Sequence, residues 1–287
     1  MDNIGYYNGV FAPMMELQVP ACDRGMYFGD GVYEAIRVEK HVMFAIDEHL
    51  DRLYDSLRVL RIPFTMTRQA LKDVLTECAR RVDADAIQMY FQVTRGTAPR
   101  VHAFAPGATP NLLVFAYHYE LVDIDRPRRV ITLPDRRWDG CWIKSLNLLP
   151  GVLASQDAID AGCEDAILHR DGVVTECTAA NLLMLKDGEV RTAPADGHIV
   201  PGVTRNHFLR LARENGIPVR EEAFTVEEAM EADELLIVST SVHGVRIVEI
   251  DGKPVCGRCF APISTHRSIR RAGADAPAET DGKAGQQ

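Results

Sequence analysis

Two stretches in the first half of the chain place apolar residues at helical spacing. The first predicts a helix that starts near Asp47, a residue able to cap it. Its apolar face consists of Leu50, Leu53, Tyr54, Leu57 and Leu60. The second predicts a helix from about Arg68 to Val82. Runs rich in β-branched and aromatic residues then predict strands at Ile87–Thr94 and Leu112–Tyr119.

In the second half, strand-like runs alternate with two-residue turns. Asp171-Gly172, Asp187-Gly188 and Asp251-Gly252 each separate two such runs, and an Asp-Gly pair in this setting is a strong hairpin signal. Helices are predicted over about Leu153–Ala161 and Arg205–Glu214, each followed by a glycine that can end it. Hairpins mixed with scattered helices predict an α+β fold rather than a doubly wound sheet.

A charged segment between the two halves is typical of a linker. It covers Leu121–Arg129 and contains Pro127. We therefore predict a small α/β domain over residues 1–119, an interdomain linker over 120–129 and a large domain over 130–270. Residues 271–287 are rich in Ala, Gly, Asp and Gln, so they are predicted to form a disordered tail.

Composition and charge exclude several classes of protein. The formal net charge is -9 and the pI is near 5.5, whereas a nucleic-acid binder normally carries a basic stripe. No apolar run approaches the roughly 20 residues of a membrane span, and Met1-Asp2-Asn3 begins no signal peptide. We therefore expect a cytoplasmic protein that binds neither nucleic acid nor membrane.

The seven cysteines do not predict a disulfide framework or a metal site. Their number is odd, and a chain of this size without an export signal rarely carries disulfides. Cys256 and Cys259 form a single C-x-x-C pair, whereas a zinc ribbon needs two. Two free thiols on a surface loop are the preferred interpretation, and no metal ligand is predicted.

The segment Ile143–Leu149 holds one lysine, Lys144, among apolar residues. Burial removes hydration from an ammonium and favours the neutral amine, which can form a Schiff base with an aldehyde. A lysine at a strand edge with its head in water is the alternative, and composition alone favours it because lysines are rarely buried.

A carboxylate followed by small and hydroxylated residues appears in Thr175–Asn181. Such a run would let a flat ligand lie against the backbone while Glu176 meets a ring nitrogen. The alternative is an ordinary strand end at the surface. Further on, Gly202, Val203 and Thr204 precede the helix predicted over Arg205–Glu214, and free N–H groups at a helix N-terminus suit a phosphate. Thr240, within Ser239–Ser241, could add a hydroxyl.

Further motifs occur in a fixed order along the chain. They are Asp23-Arg24-Gly25 and the segments FGDGVYE at 28–34, EHLDRLY at 48–54, YFQVTRGT at 90–97, PRVH at 99–102, IKSLNLL at 143–149 and GVTR at 202–205. With these motifs the chain resembles the fold-type IV enzymes that depend on pyridoxal 5'-phosphate (PLP). The group includes branched-chain aminotransferases, aminodeoxychorismate lyase and D-amino acid transaminases. The similarity runs from about Tyr6 to Ile250 and is greatest to bacterial D-amino acid transaminase.

The resemblance implies two α+β domains with PLP in the cleft between them, and roles for the matched residues. Lys144 would hold the cofactor covalently and then move the proton between the substrate Cα and the cofactor. Glu176 would pair with the pyridine nitrogen. The phosphate would be bound by Arg52, Val203, Thr204 and Thr240.

The resemblance also implies how the substrate carboxylate is held. Tyr33, Arg100 and His102 match the residues that bind it in D-amino acid transaminases, and all three side chains can donate to a carboxylate. The protein would be a homodimer in which the loop with Arg100 and His102 reaches the neighbouring site. A solvated loop at Ala98–Pro106 is the alternative for those two residues.

The implied reaction is the ping-pong transfer of an amino group from a D-amino acid such as D-alanine to a 2-oxo acid such as 2-oxoglutarate. A branched-chain L-amino acid aminotransferase and aminodeoxychorismate lyase would share Lys144 and Glu176, and a non-catalytic protein that binds a phosphate or a partner is a further alternative. The chain departs from the D-amino acid enzymes at Cys177–Ala180 and at Val242–Arg246. Arg246 is either a second carboxylate site or a surface arginine.

Overall fold

The structure is a computed structural model that describes residues 3–255 of the 287-residue chain. The predicted tail and the Cys256/Cys259 pair therefore lie outside the described residues. The first sheet has six strands, β1 (Asn3–Tyr7), β2 (Val10–Ala12), β3 (Gly31–Glu39), β4 (Val42–Met43), β5 (Ala86–Thr94) and β6 (Asn111–His118). Its order is β2-β1-β6-β5-β3-β4, and neighbouring strands are antiparallel.

Three helices accompany this sheet, α1 (Arg24–Phe28), α2 (Ile46–Val59) and α3 (Arg68–Arg81). The two helices predicted from apolar spacing are confirmed, and α2 buries Leu50, Leu53 and Leu57. The prediction that Asp47 caps α2 is wrong. The N-cap is Ala45 in the left-handed conformation, and Asp47 lies in the first turn, where it pairs with Lys72 of α3 at 2.6 Å. A carboxylate also suits this position because the helix dipole is positive there.

The second sheet has nine strands. They are β7 (Arg128–Pro134), β8 (Asp165–Arg170), β9 (Val173–Cys177), β10 (Asn181–Lys186), β11 (Glu189–Thr192), β12 (Val219–Glu221), β13 (Glu234–Val238), β14 (Val245–Ile250) and β15 (Lys253–Pro254). The order is β12-β11-β10-β13-β14-β7-β8-β9, with β15 on β14. The three Asp-Gly hairpins are confirmed: at each turn both residues have positive φ, as a type I′ turn requires.

Three more helices belong to this half, α4 (Leu149–Asp160), α5 (Val203–Glu214) and α6 (Val226–Met230). Helix α4 begins four residues before its predicted start. Pro150 lies in its first turn, a position that tolerates proline. Most strand pairs are antiparallel, and parallel pairs occur at β11–β12, β14–β7 and β7–β8. The predicted α+β class is confirmed.

Each sheet has its own buried hydrophobic cluster. The strand β7 begins at Arg128, so two residues of the predicted linker belong to the second sheet. The domain boundaries given above otherwise stay a prediction. Within residues 3–255, no helix combines the length and the apolar character that a membrane crossing requires.

One segment of the second half pairs with the first sheet. Ser145 forms an antiparallel bridge with Val32, and the Leu146 N–H donates to the Gly31 carbonyl at 3.1 Å. Ile143 packs into the first hydrophobic cluster. The residue between them, Lys144, is therefore fixed against the beginning of β3.

Candidate active site

A cavity of about 210 Å³ lies between the two sheets. Tyr33 and Ala35 of β3 line one side, together with Arg52 of α2. The second half of the chain contributes, among others, Lys144, Glu176, Asn181, Val203, Thr204 and Thr240. Seven of the nine residues predicted for the site therefore line one cavity, although they are separated by up to about 200 positions in the sequence.

Lys144 reaches the cavity with its amine beside Tyr33. Its Nζ donates to the Tyr33 hydroxyl at 3.2 Å and lies 4.3 Å from the centroid of that ring. The Tyr33 N–H donates to the Lys144 carbonyl at 2.9 Å. The Tyr33 ring stacks on Tyr90 of β5 at 5.4 Å between centroids, which holds the phenol in place. Lys144 is only half-buried. Its amine nevertheless points to the Tyr33 hydroxyl in the cavity, and not into open water as the strand-edge alternative would require.

Arg52 is held by a buried carboxylate. Its Nε and Nη2 donate to the two oxygens of Glu34 at 2.7 Å each, and Nη1 donates to the Pro201 carbonyl at 2.9 Å. His49 Nδ1 contacts Glu34 Oε2 at 2.7 Å. Burial would raise the pKa of Glu34, but Arg52 and then His49 outweigh it and the pKa falls to about 2. The guanidinium is thereby fixed just before the N-terminus of α5.

Glu176 is buried at the opposite wall and is surrounded by donors. Arg137 forms an ion pair with Oε1, Asn181 Nδ2 donates to Oε2 at 2.8 Å, and the Val200 N–H donates at 3.2 Å. Burial raises the pKa of Glu176 above its ordinary value, and the Arg137 charge opposes this effect. Asp135 holds Arg137 in turn, at 2.8 Å. The carboxylate therefore has one fixed orientation toward the cavity.

Gly202, at the start of α5, packs closely against Asn181, the residue that donates to the Glu176 carboxylate. A Cβ at Gly202 would lie 2.0 Å from Asn181 Oδ1, so the position requires glycine. The same Asn181 amide donates to Glu176 and, at 2.9 Å, to the Val200 carbonyl. Gly202 is also the N-cap of α5, and its lack of a side-chain cap leaves the first N–H groups of that helix without a local acceptor.

Those N–H groups belong to the cavity wall. Val203 and Thr204 begin α5 and are buried, and Thr204 adds a hydroxyl. Thr240 lies in the turn that follows β13, on the same wall. An uncapped helix N-terminus with hydroxyls and a nearby guanidinium is a favourable environment for an anion.

Arg100 and His102 do not line this cavity. Both are exposed, on a loop in which Arg100 lies over Phe28 at 5.2 Å and the His102 ring packs against the same phenylalanine at 5.2 Å. Arg24 holds the loop through the carbonyls of Val101 and His102. Within one chain, therefore, Tyr33 lies beside Lys144, whereas Arg100 and His102 lie outside the cavity.

Four residues without a predicted role hold the predicted site residues in place. They are Glu34, His49, Arg137 and Asn181. Three of them lie inside motifs singled out above, and a charged residue in a strand of apolar residues, such as Glu34, could have signalled a buried ion pair. Arg137 gave no signal of its own, because its partner Glu176 is 39 residues away.

Comparison with known proteins identifies the family. The family described as amino-transferase class IV matches residues 31–250. The chain belongs to the class IV aminotransferases. It is 37% identical over 260 residues to D-alanine aminotransferase of Bacillus licheniformis, which covers 90% of this chain and 92% of that protein. It is 36% identical over 262 residues to the D-alanine aminotransferase of Staphylococcus haemolyticus, again over 90% of this chain and 93% of that protein.

Solved structures of branched-chain aminotransferases have the same fold. The enzyme of Escherichia coli superposes with a TM-score of 0.87 at 22% identity and covers 99% of this chain and 98% of its own. The enzyme of Thermoproteus uzoniensis, solved with norvaline, gives a TM-score of 0.85 at 22% identity and covers 94% of each chain. At these identities the likeness extends to the fold alone.

Class IV aminotransferases use PLP, and this aminotransferase has side chains that fit it. The cavity offers an amine for the aldehyde, a buried carboxylate for the pyridine N–H, and a cationic, N–H-rich end for the phosphate. The described cysteines Cys22, Cys78, Cys141, Cys163 and Cys177 are all free thiols. Among residues 3–255 no cluster of His, Cys, Asp or Glu has the geometry of a metal site.

Proposed function

We propose that the protein is a D-amino acid transaminase, which moves the amino group of D-amino acids such as D-alanine to 2-oxo acids such as 2-oxoglutarate. The observation that carries this proposal is the 37% identity to a D-alanine aminotransferase over 90% of this chain, with motifs that extend through the whole cavity. The branched-chain enzymes with the same fold are only 22–24% identical.

Lys144 is proposed to link the cofactor and to move the proton. When bound, PLP supplies an aldehyde carbon and an electron-accepting ring. The Lys144 amine would take the proton from the substrate Cα as general base and return it, as general acid, to the cofactor carbon that carried the aldehyde. Its hydrogen bond to the Tyr33 hydroxyl would hold the amine on one side of the cavity between these two events.

Glu176 is proposed to keep the ring nitrogen protonated. A carboxylate supplies the counter-charge for an N–H cation, and the contacts from Arg137, Asn181 and the Val200 N–H fix its direction. Burial excludes water from this pair, which strengthens the electrostatic interaction. The raised pKa of Glu176 also makes the carboxylate a better partner for a shared proton.

Arg52, Val203, Thr204 and Thr240 are proposed to bind the phosphate. Arg52 has five N–H groups, so donors remain after those used by Glu34 and Pro201. The two α5 residues would donate through their backbone N–H groups, and Thr204 and Thr240 through their hydroxyls. Because the Glu34–Arg52 pair is buried, the guanidinium would be in position before the phosphate arrives.

The substrate carboxylate is proposed to be held by Tyr33 of one subunit and by Arg100 and His102 of the other, in a cytoplasmic homodimer. Two observations support a second copy at this cavity. The Arg100–His102 loop is exposed and lies outside its own cavity. Helix α4, which begins at the cavity, exposes a run of large apolar side chains. These are Leu149, Val152, Leu153 and Ile159. A contiguous exposed apolar face marks an interaction surface.

The experiment that tests the substrate class is a spectroscopic half-reaction. The purified holoenzyme is mixed with D- or L-alanine, D- or L-glutamate and L-leucine, and the cofactor absorbance is followed. We expect conversion with D-alanine and D-glutamate. Preference for L-leucine would replace the proposal by the branched-chain assignment.

The shared site is tested with hybrid dimers. Lys144→Ala and Arg100→Ala chains, each with a different tag, are co-expressed and the mixed dimer is isolated. If Arg100 serves the partner's site, each mixed dimer has one intact site, and a randomly paired population regains about a quarter of wild-type activity with D-alanine. If Arg100 serves its own site, the mixed dimer has no intact site and stays as inactive as its parents.

A further inference from the structure

The wall of the cavity formed by β3 continues to a buried arginine. Side chains alternate along a strand, so Arg37 lies on the same face as Tyr33 and Ala35, roughly 7 Å beyond Ala35. The Arg37 side chain is 9% exposed. Ala35 has a small side chain and lines the cavity, whereas Arg37 lies just beyond the residues that line it.

On its other side, Arg37 contacts the turn that follows β13, and this turn lines the cavity. Ser239, Thr240 and Ser241 line the cavity, and His243 ends the turn with its N–H bound to the Ser239 carbonyl at 2.8 Å. Nη1 of Arg37 contacts His243 Nε2. The Tyr119 hydroxyl donates to the Ser241 carbonyl at 3.1 Å and ties this turn to the first sheet. Arg37 therefore lies behind the end of this turn, next to the residues that line the cavity.

The guanidinium of Arg37 has unused capacity. Nη2 pairs with Glu39 Oε1 at 2.7 Å, but that glutamate is 49% exposed. Nε is buried and has no hydrogen-bond partner within residues 3–255. An unpaired buried donor is costly, and an acceptor that binds Arg37 Nε gains free energy.

The contact with His243 does not neutralise the charge. Burial and the Arg37 charge lower the pKa of His243 to about 4, so the imidazole is uncharged at neutral pH. The carboxylate that pairs with the buried Arg37 cation is therefore Glu39, which is half-exposed. Buried charges are normally paired, and a guanidinium binds a carboxylate through two parallel hydrogen bonds.

We propose that Arg37 binds the distal carboxylate of dicarboxylic substrates, D-glutamate, D-aspartate and the corresponding 2-oxo acids, at the end of the cavity away from Lys144. This inference rests on the proposed function, since it presumes that the cavity holds an amino acid. Arg246, the other candidate for a second carboxylate site, is poorly placed for this role. Its side chain is 54% exposed, and it faces Glu234 on β13 at 4.0 Å, between the buried Val245 and Ile247.

The test compares substrates with and without a distal carboxylate. Arg37→Gln and the matched control Arg246→Gln are assayed in half-reactions with D-glutamate and D-alanine. Loss of a charged hydrogen bond lowers kcat/KM by roughly tenfold to a hundredfold. We expect this loss for Arg37→Gln with D-glutamate, a change of less than about twofold with D-alanine, and no effect of Arg246→Gln. An equal loss for both substrates, or no loss, overturns the proposal.

A binding measurement on the unaltered holoenzyme keeps the proposal testable if Arg37→Gln does not fold. Glutarate and pentanoate have the same chain length and differ in one distal carboxylate. We expect glutarate to raise the unfolding temperature at a concentration at least about tenfold lower than pentanoate. Equal or better binding of pentanoate overturns the Arg37 role. The proposed function fails by a different result, namely if the wild-type enzyme converts L-amino acids and leaves D-alanine unchanged. The binding comparison and the substrate assay therefore test the two proposals separately.

Discussion

The Lys144 amine donates a hydrogen bond to the Tyr33 hydroxyl at 3.2 Å, and the Tyr33 N–H donates to the Lys144 carbonyl at 2.9 Å. Each residue thus holds the other at two points, once through the backbone and once through the side chain. Lys144 belongs to the second half of the chain and Tyr33 to the first sheet. The cavity can therefore form only when both halves are docked.

Replacing the lysine should remove the covalent link to the cofactor. Lys144→Ala is expected to abolish transamination, while the noncovalent contacts at Glu176 and the α5 N-terminus retain some PLP. Borohydride reduction of the wild-type enzyme followed by peptide mapping should label Lys144. Lys186→Ala, at an ion pair with Glu231 on the surface, is the matched control and should keep full activity. A label on any other lysine would contradict the assignment.

Glu176→Gln should fold and bind PLP but lose catalytic rate. Glutamine keeps the shape and can still contact Asn181, yet it removes the charge that holds a proton on the ring nitrogen. The loss of one strong electrostatic contact costs about 3 to 4 kcal/mol, or about a hundredfold or more in kcat. Single-turnover rates with D-alanine measure it, and Glu231→Gln on the surface is the control. An unaltered rate would exclude the role.

Glu34→Gln should weaken both folding and phosphate binding. It leaves the largely buried Arg52 without its counter-charge, and breaking such a pair costs about 3 kcal/mol or more. The released guanidinium would also lose its orientation toward α5. Urea unfolding and PLP titration of the apoenzyme measure the two effects. Glu48→Gln, a half-exposed residue on the same helix as Arg52, should change neither.

Gly202→Ala should disturb Glu176 through Asn181. The added Cβ would lie 2.0 Å from Asn181 Oδ1, and overpacking of this kind typically costs about 1 to 3 kcal/mol. We expect weaker PLP binding and a lower rate. The double variant Gly202→Ala/Asn181→Ala removes the clashing atom, so it should be no worse than Asn181→Ala alone. Additive losses would show that the clash is not the cause.

His243 should make the protein less stable in mild acid. Its pKa in the folded state is about 4, whereas an unfolded histidine titrates near 6.5. As pH falls below 6.5 the unfolded state takes up the proton first, so stability is lost between pH 6.5 and 4 and is fully present above 6.5. The loss from pH 8 to pH 5 is about 2 kcal/mol.

Urea unfolding at these two pH values measures the loss. His243→Gln should remove that part of the pH dependence, and His118→Gln, at an exposed position, should leave it unchanged. The same pH dependence in wild type and His243→Gln would place the titration elsewhere.

Local patterns predicted most of the secondary structure correctly. The apolar spacing of α2 and α3 and the Asp-Gly turns each act within a few residues, so the sequence alone specifies them. The start of α2 differs from its prediction because Asp47 has a side chain that can cap a helix, whereas entry through a left-handed Ala45 has no sequence signature. Helix α1 is only five residues long and shows no periodicity.

The ordered motifs by themselves determined the family and the α+β class and predicted the PLP-binding residues, because each motif carries its own chemistry over a few neighbouring positions. Tertiary structure alone decided which side chains support them. Glu34 meets Arg52 across 18 residues, Arg137 meets Glu176 across 39, and Arg37 meets His243 across 206. Such pairs depend on strand register and on the docking of two sheets, which no local spacing encodes. For the same reason the buried Arg37 contacts the end of the turn that lines the cavity, whereas Arg246 is exposed.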